Sequence, residues 1–142
     1  MEKYIFLEDV ALADIAFEAY GKNWDEVFEN CALAIFELTA NIKTIKPKEK
    51  IEVKLENKKI DLLLYDFLSE ILFLKDSKYV VFKEVKVAIK ETDKFYLSST
   101  LVGDSIDAEK QELENDIKAI TMHMFEVVKE GKIYRARVVV DI

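Results

Sequence analysis

Residues 58–74 carry Leu62, Leu63, Phe67, Leu68, Ile71, Leu72 and Leu74, a spacing that predicts a helix with an apolar surface wider than one stripe. Such a helix has to be covered on most sides, because a single interface would leave several large side chains in water. It therefore demands a fold in which other elements close around it. A second helix is predicted from Trp24 to about Ala40, where Trp24, Val27, Phe28, Cys31, Ile35 and Leu38 recur at steps of three and four. Asn23 is placed to cap it, with Asp25 and Glu26 in the first turn, where carboxylates interact favourably with the exposed amides. Phe28, Phe36, Phe67 and Phe73 lie on these two helices and are expected in the core.

The rest of the pattern is strand. Residues 4–7 and 15–20 read as two short strands, the second closed by the turn-favouring Gly21-Lys22-Asn23. After a break at Pro47, residues 51–55 alternate strictly and predict a strand with one face in water. Residues 80–89 and 95–102 form a pair joined across 91–94, and a polar crossing runs from Gly103 to Asn115. A final hairpin joins 117–128 to 133–140 over Lys129-Glu130-Gly131-Lys132. Two strands, helix, strand, helix and four strands make an α+β order, with the two helices packed on one or more largely antiparallel sheets. With 51% hydrophobic residues, only 3 Gly and 1 Pro, and no linker-like stretch, residues 1–142 are expected to be a single domain.

Composition narrows the function classes. Cys31 is the only cysteine, so it has no intrachain disulfide partner and no zinc-ligand set, which suits a reducing cytoplasm. Glu2, Glu8 and Asp9 interrupt any apolar run at the amino end, so no signal peptide is expected. The apolar stretch 62–68 contains Asp66 and falls far short of the roughly 20 residues a membrane span needs. With 21 Lys and Arg against 28 Asp and Glu, a formal charge of −7 and no basic block, direct tight nucleic-acid binding is not expected. An acidic surface favours a basic protein partner or cations.

Several residues carry two readings. Asp66 and Glu70 lie one helical turn apart and could act as paired carboxylates, or simply form the solvated edge of an apolar helix. A hydrolase built on them would lack an assignable nucleophile or oxyanion donor. His123, the single histidine, falls in a strand as a ligand, a proton carrier or a partnered structural histidine. Lys118 lies five positions earlier, on the opposite face of an ideal strand, so the two share a site only if a bulge intervenes. Asp14 opens one strand and Asp141 closes another, one residue before Ile142, and either is read as a solvated strand end or as part of an oxygen-rich cation site.

At these residues the chain resembles the archease family. The segment Asp14-Ile15-Ala16-Phe17-Glu18-Ala19-Tyr20-Gly21 is similar to the family's Asp-x-x-hydrophobic-x-x-Tyr-Gly. Glu26-Val27-Phe28-Glu29-Asn30-Cys31-Ala32-Leu33-Ala34 resembles its first helix, and Leu63-Leu64-Tyr65-Asp66-Phe67-Leu68-Ser69-Glu70 its second. Lys118-Ala119-Ile120-Thr121, His123 and Val139-Val140-Asp141-Ile142 complete the set. The family's Glu-His-Thr-Ala-Asp corresponds here to Glu8-Asp9-Val10-Ala11-Leu12-Ala13-Asp14, two residues longer and without the His and Thr. Gln111 stands where the family has His, and Met122 where it has Tyr.

The resemblance implies a cytoplasmic, non-enzymatic accessory factor for an RtcB-type tRNA-splicing RNA ligase, promoting ligase guanylylation and multiple turnover. It also implies a calcium-type metal site formed by Asp14, Asp141 and an oxygen of Ile142, with Lys118 and His123 as a possible functional surface. Carboxylate and carbonyl oxygens suit calcium, which accepts irregular geometry, better than they suit zinc. The competing reading is an acidic α+β protein-interaction module with neither a metal nor a ligase role.

Overall fold

The structure, a computed structural model, describes residues 2–7 and 13–142. Its elements are β1 (Tyr4–Leu7), β2 (Asp14–Gly21), α1 (Trp24–Thr39), a 3-10 turn (Ile42–Thr44), β3 (Glu49–Asn57), α2 (Ile60–Lys78), β4 (Val80–Glu91), β5 (Phe95–Ser105), β6 (Ala119–Glu130) and β7 (Ile133–Asp141). They form two antiparallel sheets, a four-stranded one in the order β1-β2-β7-β6 and a three-stranded one in the order β3-β5-β4. The predicted α+β architecture is the observed one. Both helices touch both sheets and fill the space between them.

Helix α1 starts where the sequence places it, with Asn23 Oδ1 accepting the Glu26 N–H at 2.9 Å. Its last carbonyls, which have no partner within the helix, are met by the polar crossing: Asn115 N–H donates to Leu38 O and Glu114 N–H to Thr39 O, each at 2.9 Å. Along its length α1 runs beside the open edge of β4. Glu29 Oε2 accepts the Val87 N–H and Asp25 Oδ1 the Ile89 N–H, both at 2.9 Å, so two carboxylates one helical turn apart take the place of a missing strand.

Phe28 and Phe67 stack at 6.0 Å between the helices, in one continuous core that reaches both sheets. Burial there pushes the Cys31 thiol well above its ordinary value. Phe28, Phe36 and Phe67 are buried as expected, but Phe73 is 61% exposed. The reason is the helical period. Phe73 falls on the line of Asp66, Ser69, Glu70, Asp76 and Ser77, the polar side of α2, which is exposed from Phe73 onward.

At the far end of α2, Lys75 is buried and its ammonium donates to Asp116 Oδ1 at 2.7 Å, with Asp76 at 3.3 Å. That bond from Lys75 holds the Asp116 carboxyl below its ordinary value of 3.8. A carboxyl lowered in the fold contributes stability that is present above its unfolded value and lost as pH falls through the folded one. Unfolding midpoints measured downward from about pH 5 should therefore drop more steeply in the native chain than in Asp116→Asn. The substitution itself should cost about 1 kcal/mol near pH 7, since Asp116 is mostly in water.

Candidate functional site

Strand β7 is central in its sheet, with β2 on one side and β6 on the other. Val138, Val139 and Val140 are fully buried, as a β-branched run in a central strand should be, and the run ends at Asp141. The β2–β7 register places Asp14 directly opposite Asp141 and Ile15 opposite Val140. Beyond that rung, Ile142 N–H donates to Ala13 O at 2.9 Å. Position 142 is thus held in the ladder, and Asp14 with Asp141 forms the adjacent, non-hydrogen-bonded rung, the kind in which opposed side chains stand closest.

Alternation fixes the direction of the pair. Ile15, Phe17, Ala19, Ala136, Val138 and Val140 belong to the core. Asp14 and Asp141 therefore face away from the helices, on the outer side of the sheet. Across β7, Ala119 is the partner of Asp141, and Lys118 N–H donates to Asp141 O at 2.8 Å. The expected strand over 117–128 begins at Ala119, so Lys118 precedes it and is exposed beside the pair.

The donor set fits a hard cation in part. Two carboxylates and an oxygen of Ile142 are all oxygen ligands, and a calcium-type ion takes 6–8 of them, so water or a partner's groups would supply the remainder. Among the described residues no three His, Cys, Asp or Glu side chains converge on one point. The pair supplies two acids and needs completion from outside.

His123 lies in a bulge. The β6–β7 register jumps from Thr121–Val139 to Glu126–Arg137, so residues 122–125 face a single residue of β7. Met122, His123 and Met124 are exposed there, and Met124 has φ 53. The Thr121–Val139 rung is two residues, about 7 Å, from Asp141 along the strand. Asp66 and Glu70 remain half-buried on α2, where Asn57 Nδ2 donates to Asp66 at 3.2 Å, and the structure gives the two acids no role beyond that contact.

Farther along the same outer face stands an ionic network that sequence reading missed. Arg135 pairs with Glu18, Glu126 and Glu130, and Arg137 lies 3.9 Å from both Glu18 and Glu126. The hydrogen bond to Glu130, reinforced by Glu126, raises the Arg135 guanidinium above its already high ordinary value. The signal was the alternation of two arginines with Ala136, opposite Glu18 on β2.

A model of the archease protein family (MTH1598/TM1083) matches residues 4–142. This chain belongs to the archease family. It is 38% identical over 131 residues to protein archease of Methanothermobacter thermautotrophicus, covering 92% of this chain and 93% of the relative. It is 40% identical over 140 residues to protein archease of Archaeoglobus fulgidus, covering 99% of each. The solution structure of Methanobacterium thermoautotrophicum protein 1598 superposes over the full length of both chains with a TM-score of 0.88 at 36% identity. A Thermotoga maritima crystal structure, described as an archease and possible chaperone, shares the fold with a TM-score of 0.64 at 21% identity.

Within the archease frame, Gln111 has a structural task. It is buried, its Nε2 donates to Ser105 O at 2.8 Å, and its Oε1 accepts the Asp107 N–H at 2.9 Å, so one side chain closes the loop after β5. The lengthened segment before Asp14 falls largely on residues 8–12, which lie outside the described residues.

Proposed function

We propose that this archease is a non-enzymatic, cytoplasmic activator of an RtcB-type tRNA-splicing RNA ligase, promoting ligase guanylylation and multiple turnover. The observation that supports it best is the Asp14–Asp141 rung, which sets two half-buried acids side by side on the outer face of the sheet, where β2 begins and β7 ends, with Ile142 held next to them. Asp14, Asp141 and an oxygen of Ile142 would hold a calcium-type divalent ion. Such an ion would cancel the repulsion between the two acids and offer open coordination positions to groups of the ligase.

What the chain's own residues do follows from their placement. The Ala13–Ile142 and Lys118–Asp141 backbone bonds fix the main chain on either side of the acids. Lys118 adds a positive charge beside an acidic rung, and His123 offers an imidazole farther along β6. An activator that works through a partner needs a pre-shaped edge of this kind, because each rotamer frozen on docking costs binding energy.

The test is multiple-turnover RNA ligation by the cognate ligase with and without the chain. Acceleration of at least about tenfold, strengthened by calcium, is expected. Ligation unchanged by the chain under both conditions would reject the reading.

A further inference from the structure

The β6–β7 ladder is regular on both sides of residues 122–125, so the interruption there is local. A bulge leaves ladder groups unpaired, and the φ of 53 at Met124 is disfavoured for any residue with a Cβ. Such a conformation persists only where its surroundings enforce it. Here they do. Arg137 Nε donates to Met124 O at 2.9 Å. Thr121 Oγ1 donates to Val139 O at 3.0 Å and accepts the His123 N–H at 3.3 Å. Phe125 packs edge-on against Tyr65 of α2 with ring centres 6.1 Å apart.

Of these contacts, the one from Arg137 is made by a side chain that is itself oriented. Glu18 on β2 and Glu126 on β6 lie 3.9 Å from its terminal nitrogens, while its Nε faces the bulge. A planar guanidinium satisfies those three directions together, and an ammonium does not. Arg137 also shares the outer face with Asp141, four residues away on the same strand. The bulge additionally reverses which residues face inward. Ile120 reaches the core before it, and Phe125 and Val127 after it. Residues 122–124 are left in the exposed interval between.

We propose that Arg137 is a positioning residue for the activating surface, holding the β6 bulge so that His123 is presented at a fixed place on the strand pair that carries Asp141. The proposal rests on the ligase reading above. It concerns a residue that acts through the bulge and touches no reacting atom.

The experiment uses the full chain as Arg137→Met and Arg137→Lys. Each is examined by the methyl NMR signals of Met122 and Met124, by melting temperature, and by ligation at saturating activator. In Arg137→Met both methyl signals should move toward their unfolded positions, and maximal acceleration should fall about tenfold while the melting temperature changes by only a few degrees. Arg137→Lys should recover part of the acceleration. Unmoved methyl signals, moved signals with full acceleration, or a loss abolished by adding more activator would each overturn the positioning role. A native chain that accelerates nothing would reject the ligase reading instead, and moved methyl signals would then still show Arg137 as the clamp of the bulge.

Discussion

Replacing Gly103 by alanine is expected to destabilise the fold by about 3 kcal/mol or more, the range reached when a packed backbone is forced apart. A Cβ at that position would lie 1.9 Å from Val81 O and 2.7 Å from Phe82 Cα. Both are backbone atoms of the neighbouring strand, so no side-chain rotation relieves the clash. β5 is gripped there from two sides. The β4–β5 register shifts between Phe82 and Glu84 just at this point, and Lys48 N–H donates to Gly103 O at 2.9 Å. Gly131 makes the informative comparison. It has φ +63, and no atom of the described residues lies within 4 Å of where a Cβ would stand, so alanine there meets only the left-handed backbone cost of about 1–2 kcal/mol. Urea unfolding of the two variants should separate them clearly, and equal losses would mean that the β4–β5 pair can yield.

Gly103 also shows what the sequence could and could not disclose. Its place at the start of a polar crossing was legible, yet β5 continues through it to Ser105, and the need for glycine comes from β4. The same division recurs elsewhere. Helical period revealed both helices and the Asn23 cap, because those depend on residues a few positions apart. It misplaced Phe73, since a wide apolar surface does not say which side neighbouring sheets leave open. The acids that seal β4 are invisible in the same way. Asp25 and Glu29 read as ordinary helix carboxylates, and their strand partners lie far along the chain.

For the candidate site, composition offered oxygen chemistry at residues 14 and 141 but no reason for them to meet. The register supplies it. The bulge at 122–125 carries no Gly or Pro to announce it. Its cause is tertiary, with Arg137, Thr121 and Tyr65 enforcing a path that local preference would not choose.

Asp141→Asn is expected to change stability in opposite directions with and without calcium. In chelator, two like charges on adjacent strands about 5 Å apart repel by roughly 1 kcal/mol in water, so removing one should raise stability by up to about that amount. Asparagine keeps the shape and the main-chain bonds from Ile142 and Lys118, which do not involve the side chain. In calcium at about 100 times its dissociation constant, the native chain should gain about 2.7 kcal/mol and the variant almost none, and the order of the two melting temperatures should reverse. Asp14→Asn should behave alike, because it removes the other half of the same rung. Asp66→Asn, altered on α2 with a different partner, should respond to calcium as the native chain does. Ligase acceleration should fall with the first two substitutions and persist in the third. If calcium shifts the native chain and Asp141→Asn by the same amount, with ligase present as well as absent, Asp141 is not a ligand. A reversal, in contrast, requires that the group destabilising the empty fold is the one that binds the ion, and neither a solvated strand end nor a purely structural acid meets that condition.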